Sequence, residues 1–243
     1  MRYYHAEHEA AYQRLECEGM TQWSDLFTED RTDDYDAFPN RAFLEAALNR
    51  LDLPPDADVL EYGCGTGPAA CFLAARGFRV DAIDLIPEAI TIARRLARDR
   101  GVQVNFAVQD ICAMPPESKR YDVVLDSYCL QSIVTDADRA SVYAAIRARL
   151  KPNGYYVLST ATYEPDRVYE HPYRYDAPTG ICYQEVSAES PDAVQIDDRW
   201  HLPHRRHLRP EVLEAELQRA GLQVLSQEGP YRGELICRVS PRR

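Results

Sequence analysis

Along the first stretch of the chain, Tyr4, His8, Ala11 and Leu15 recur at helical spacing, predicting an amphipathic helix over Tyr4 to Cys17. A loop follows, with Trp23-Ser24-Asp25-Leu26-Phe27 and an acidic run from Glu29 to Asp36. Phe43, Leu44, Ala47, Leu48 and Leu51 predict a second helix over Pro39 to Leu51, ended by Leu53-Pro54-Pro55-Asp56. The period then changes. Strand runs at Val59 to Tyr62, Phe78 to Ile83, Val102 to Val108, Tyr121 to Leu125 and Tyr155 to Thr160 alternate with helical runs at Pro68 to Arg76, Pro87 to Arg100 and Asp136 to Leu150. Pro87 occupies a favoured first turn, and Gly77 and Gly101 stand where helices end. A helix from Pro210 to Ala220 and two short strands, Val224-Leu225 and Leu235 to Val239, close the pattern around Gly229-Pro230. Such alternation predicts a doubly wound α/β domain with a parallel sheet covered on both faces. Residues 161–209 fit no long helical period and carry five tyrosines and five prolines. A connection of that length is more often functional than idle.

Composition narrows the partners. The chain has 243 residues, 45% hydrophobic and 28% charged, which are ordinary globular values. A net charge of −11 repels phosphate backbones and anionic membranes, so neither nucleic acid nor membrane is expected as a partner. No apolar run approaches the ~20 residues of a membrane span. Met1-Arg2-Tyr3-Tyr4-His5 leads into charged residues, unlike a secretory signal. None of the seven cysteines pairs as C-x-x-C, which fits a reduced, cytoplasmic chain.

The sharpest motif is Val59-Leu60-Glu61-Tyr62-Gly63-Cys64-Gly65-Thr66-Gly67. An apolar strand delivers its carboxyl end to three glycines, and a helix begins at once. Glycines permit a tight turn and close ligand approach, while the helix start aims amides at the ligand. The nicotinamide fingerprint places its third glycine at position 68, which is Pro68. Glu61, just before the loop, suits an ammonium or a ribose hydroxyl better than a pyrophosphate. The segment resembles the first motif of the class I S-adenosylmethionine-dependent methyltransferases, acid-x-Gly-x-Gly-x-Gly, matched by Glu61, Gly63, Gly65 and Gly67. Further matches follow in order: Asp84 after the second strand, Gln109-Asp110-Ile111 after the third, Tyr121 to Ser127 in the fourth, and Leu150-Lys151-Pro152-Asn153-Gly154-Tyr155 before the fifth. The resemblance covers roughly two-thirds of the chain. It implies a Rossmann-like, mostly parallel seven-stranded sheet with an antiparallel C-terminal strand. It also implies S-adenosylmethionine as donor and S-adenosylhomocysteine as product, with no metal. Glu61, Gly63, Cys64, Gly65, Gly67, Asp84, Leu85, Asp110, Ile111 and Asp126 become the implied donor contacts. Within the family, Asp84 accepts ribose hydroxyls, Asp110 bonds the adenine amine, Ile111 packs on its ring, and Asp126 stands at the pocket mouth.

The rest of a single domain is left for a small-molecule acceptor with an oxygen or nitrogen nucleophile. Two covers are candidates for its pocket: residues 1–52, with Trp23, and residues 161–209, with Tyr163. Tyr128 follows the fourth strand, where the family often touches its acceptor. His201-Leu202-Pro203-His204-Arg205-Arg206-His207 is read as a source of a base, His201 or His204 foremost, because neutral imidazole titrates near working pH. Pro203 breaks the helix that would align three histidines on a metal. Arg206, with Arg205 and Arg209, either binds an anionic group on the acceptor or answers the acidic background. A donor-binding protein without transfer, and a nicotinamide dehydrogenase, stand as the alternatives. Oligomeric state is left open.

Overall fold

Runs rich in Val, Ile, Leu and Tyr assemble into strands in a computed structural model that describes residues 3–27, 35–115 and 119–240; most of the acidic run, 29–34, lies outside them. In chain order the strands are β1 (Asp58–Tyr62), β2 (Arg79–Asp84), β3 (Asn105–Val108), β4 (Tyr121–Ser127), β5 (Leu150–Ser159), β6 (Tyr173–Asp176), β7 (Ile181–Val186), β8 (Val194–Ile196), β9 (Arg199–Arg206), β10 (Leu222–Glu228) and β11 (Glu234–Val239). The main sheet has the order β10-β11-β5-β4-β1-β2-β3. Its five strands from β5 to β3 are mutually parallel, and β11 runs antiparallel to both β5 and β10.

The pleat explains how the sheet is covered on both faces. Val59, Val123, Leu125 and Val157 point to one side; Leu60, Val124, Tyr156 and Leu158 point to the other. The helices are α1 (His5–Cys17), α2 (Arg41–Arg50), α3 (Pro68–Ala75), α4 (Pro87–Asp99), α5 (Asp136–Arg149) and α6 (Pro210–Arg219). Phe43, Leu44, Leu73 and Leu96 bring α2, α3 and α4 onto the first face. Val142, Ile146, Leu213 and Leu217 bring α5 and α6 onto the second. Pro87 opens α4, and the Thr135 hydroxyl accepts the Asp138 N–H at 3.2 Å to cap α5. Helix α1 joins neither face. Its Leu15, with Met20, packs on Ile86, Ala89 and Ile92 at the start of α4, which leaves it lying over the carboxyl ends of the strands.

Two expectations change. Strand β3 begins at Asn105 and not at Val102, because the Val102 N–H donates to Ala97 O at 3.0 Å and finishes α4. Residues 161–209, expected as a cover with no long helical period and no strand assigned, contain an antiparallel sheet of order β6-β7-β9-β8. Most residues of β9 are half-buried, so its sequence lacks the in-out alternation that announces a strand. Pro203 also sits in β9, tolerated opposite the register shift between Cys182 and Tyr183. Tyrosines hold this segment together: Tyr169 stacks on Tyr175 at 4.8 Å, Tyr163 stacks on Tyr175 at 5.5 Å, and the Tyr175 hydroxyl donates to His207 O.

One buried charge ties the second layer to the loop after β4. Arg139 of α5 is 3% exposed and donates to Leu130 O, Ile133 O, the Tyr143 hydroxyl and Glu216 Oε1 on α6. Removing one partner from such a network strands the other in a low-dielectric site. Arg139→Ala is therefore expected to cost about 3–5 kcal/mol in urea unfolding; a loss below about 1 kcal/mol would contradict a structural role.

Candidate functional site

The carboxyl ends of β1, β2, β3 and β4 open into one cleft of about 320 Å³, roofed by α1. In open α/β sheets ligands bind at this edge, outside the strand ends. At the end of β1 the chain turns through Gly63, whose φ of 61° suits glycine. A Cβ there would stand 2.4 Å from Cys129 Sγ, so the loop after β4 can close against β1 only because the position carries no side chain.

Three acids end three neighbouring strands, and their surroundings differ. Asp84, on β2, accepts the Gly65 N–H at 2.9 Å and the Ile86 N–H at 3.0 Å, fastening the glycine loop to the entry of α4. Burial raises its pKa, while those backbone bonds favour the carboxylate. Asp126, on β4, is fully buried and accepts from Cys129 N at 2.7 Å, Leu130 N at 3.1 Å and the Tyr62 hydroxyl at 2.5 Å. Burial pushes it up to about 7. Glu61, on β1, differs: it is 1% exposed, and its Oε2 is buried with no hydrogen-bond partner. Burial pushes Glu61 up to about 8, a bond from Ser127 opposes the rise, and Asp126 and Asp84 add to it. An orphaned buried carboxyl beside a glycine turn is the kind of group a bound ammonium completes.

The donor contacts implied by sequence are mostly gathered here. Glu61, Gly63, Cys64, Gly65, Asp84, Leu85, Asp110 and Ile111 line the cleft. Asp110 also caps the turn at Ile111–Ala113 through Cys112 N at 2.8 Å. Gly67 and Asp126 do not line it. Gly67 packs beneath the loop against Ala93, and Asp126 is consumed in holding the turn 127–130. That turn presents Tyr128 to the cleft at φ 67°, a strained conformation held by the Tyr128 N–H bond to Ser159 O.

On the acceptor side, Trp23 and Tyr128 reach the cleft, whereas four other predicted residues do not. His201 is buried in β9, its Nδ1 3.0 Å from Arg199 O. His204 Nε2 lies 3.2 Å from Glu7 Oε1. Arg206 donates to Val134 O and to Asp136, and Tyr163 stacks in the tyrosine cluster with Arg209 over its ring. These four lie off the cleft, engaged in packing and pairing. Arg205 does line the cleft, but its guanidinium is forked onto Glu7 at 2.8 and 3.2 Å. Burial raises Glu7, and the hydrogen bonds from His204 and Arg205 outweigh that and hold it down at about 2.

The residues missed from sequence come from α1 and from Tyr4, which caps its start. Tyr4, His8 and Tyr12 are spaced four apart, share one stripe, and all line the cleft. Their spacing signals only an inward face. The His8 ring lies 5.0 Å from Trp23 and 5.6 Å from Tyr4, and its Nε2 has no protein partner. Burial, then the nearby Arg205 charge, lowers His8 to about 4, so its imidazole is neutral at ordinary pH.

Comparison with known proteins agrees with this geometry. A family model described as "Methyltransferase domain" matches residues 59–154. The ubiquinone biosynthesis O-methyltransferase of Xanthomonas euvesicatoria pv. vesicatoria (strain 85-10) is 31% identical over 210 residues, covering 84% of this chain and 78% of that protein. The protein of the same name from Xanthomonas campestris pv. campestris (strain B100) is 36% identical over 210 residues, with the same coverage. Among solved structures, the glycopeptide N-methyltransferase MtfA complexed with S-adenosylmethionine is 26% identical with a TM-score of 0.58, covering 88% of this chain and 99% of that one. An S-adenosylmethionine-dependent methyltransferase from Clostridium acetobutylicum ATCC 824 shares the fold, with a TM-score of 0.65 at 18% identity over 95% of this chain and 99% of that one. With its glycine turn, its three strand-end acids and these relatives, the chain belongs to the class I S-adenosylmethionine-dependent methyltransferases.

Proposed function

We propose that the protein methylates a hydroxyl on a small aromatic acceptor held between α1, Trp23 and the turn after β4. One observation carries this reading: beyond the glycine loop the cleft is walled by Trp23, Phe38 and Tyr128, with the neutral His8 imidazole among them. Flat apolar walls suit an aromatic ring. Arg205 is spent on Glu7, which favours an uncharged acceptor over an anionic one. Relatives named O-methyltransferases support oxygen as the nucleophile. The cover formed by residues 161–209 then acts indirectly, through β9 and its grip on α1.

When bound, S-adenosylmethionine supplies an electrophilic methyl on a sulfonium. This chain's residues orient and shield. Glu61, Asp84 and Asp110 would hold the donor's ammonium, ribose and adenine. The aromatic walls exclude water and align the acceptor oxygen for in-line attack, so proximity supplies most of the rate. His8, the imidazole that lines the cleft, would take the proton as the oxygen–methyl bond forms and the carbon–sulfur bond breaks, when the hydroxyl has become acidic enough for an imidazole of lowered pKa.

The direct test incubates the protein with S-adenosylmethionine and catechol, phenol or aniline, and measures S-adenosylhomocysteine. Turnover is expected on the hydroxyl compounds; turnover on aniline alone would sink the oxygen reading. His8→Ala should lower kcat about a hundredfold while leaving the Kd for S-adenosylhomocysteine unchanged. His204→Ala, off the cleft, should change kcat far less, and the opposite ranking would return the base to β9. A pH prediction follows from Glu61. Free, it is protonated at pH 7 because its pKa lies near 8; beside a bound ammonium it ionises. S-adenosylhomocysteine binding between pH 6 and 7 should thus release about one proton, read from calorimetry in buffers of different ionisation heat. Glu61→Gln should abolish that release.

A further inference from the structure

Helix α1 runs along the cleft from one end to the other. At one end the Tyr4 hydroxyl lies 4.0 Å from Cys112 Sγ, next to Asp110 and Ile111. At the other end the Tyr12 hydroxyl hangs over the glycine loop: a Cβ built on Gly65 would stand 2.9 Å from it. Gly65 has φ 54° and is the residue whose N–H is held by Asp84, so Tyr12 meets the loop where it is fastened. The helix is also anchored firmly. Glu7 grips His204 and Arg205, and Tyr3 bridges Ser132 O and the Val134 N–H.

The Tyr12 ring is fixed and its hydroxyl is free. The residue is 6% exposed, packed with Leu15, Ile86 and Ile92 and set 5.2 Å from the Trp23 ring. Among the described residues its hydroxyl has no hydrogen-bond partner, yet it is not one of the occluded unpaired polar atoms. A tyrosine buried this deeply normally finds a partner for its O–H. Burial, with Asp84, Cys64, Cys129 and Glu61 nearby, keeps the phenol protonated, so it can donate a hydrogen bond.

We infer that Tyr12 is a donor-binding residue: its hydroxyl hydrogen-bonds an oxygen of bound S-adenosylmethionine and fastens α1 across it. This rests on the reading that the donor occupies the glycine-loop end of the cleft. Because His8 sits one turn earlier on the same helix, binding the donor also steadies the acceptor wall.

Calorimetry on the wild type and Tyr12→Phe, with S-adenosylhomocysteine and with 5′-methylthioadenosine, tests the inference. Phenylalanine keeps the ring packing, so the unliganded melting temperature should hold, while the Kd for S-adenosylhomocysteine should rise about tenfold. Loss on S-adenosylhomocysteine alone places the bond on the amino-acid carboxylate; loss on both ligands places it on the ribose. Equal Kd values for wild type and variant overturn the inference. A wild type that fails to bind S-adenosylhomocysteine instead overturns the underlying reading of the cleft. Should Tyr12→Phe unfold, hydrogen exchange on the wild type decides: S-adenosylhomocysteine should slow exchange across residues 5–17 about tenfold, and unchanged exchange there overturns the inference.

Discussion

Burying three carboxyl groups at adjacent strand ends is the constraint from which the site follows. Glu61, Asp126 and Asp84 end β1, β4 and β2 at 1%, 0% and 7% exposure. A carboxylate taken out of water must be bonded or must give up its charge. Asp84 and Asp126 are bonded: each accepts two backbone N–H groups, and in doing so each shapes a loop. Asp84 sets the glycine loop against α4. Asp126 folds the turn that carries Tyr128 and Cys129. Glu61 keeps an orphaned oxygen and meets the constraint by staying protonated, burial having pushed it up to about 8. The satisfied acids therefore build the cleft, and the unsatisfied one lines it with an oxygen still unbonded.

The same distinction sorts the rest of the polar side chains. His204, Arg205 and Arg206 sit together in β9, and each is already paired, to Glu7, Glu7 and Asp136. Their effect on the cleft is mechanical. Through Glu7 the small sheet holds α1 down, and α1 brings Tyr4, His8 and Tyr12 over the strand ends. A segment nearly two hundred residues away thus shapes the pocket largely by fixing a helix at the other end of the chain.

This division also explains what could be read from sequence. The glycine turn and the positions of Asp84 and Asp110 at strand ends were legible because those positions are set within a few residues by a strand end, a turn and a helix start. The alternation of strands and helices was legible for the same reason, since α4 carries a clean helical period and β4 a short apolar run buried on both faces. Residues 161–209 were not: a small sheet that is half-exposed on both faces writes no period into its strands, and Pro203 argues against a strand until its bulge is seen. Asp126 matched a motif position, yet its partners Tyr62, Cys129 and Leu130 decide that it builds the turn and does not touch the cleft.

His8 and His204 show why the acceptor side was least legible. In sequence His8 is one position of an amphipathic helical stripe, while His204 stands in a histidine cluster, with His201 and His207, whose imidazoles titrate near working pH. Packing of β9 sets its surroundings: Arg206 meets Asp136, while His204 and Arg205 meet Glu7 of α1. His8 is one residue from that carboxylate, but on a helix one residue is a turn of about 100°. The rotation takes Glu7 to β9 and His8 to the cleft. Which histidine is left without a partner depends on how a helix is rotated against a distant sheet, a quantity that is absent from local spacing and fixed only once both elements have packed.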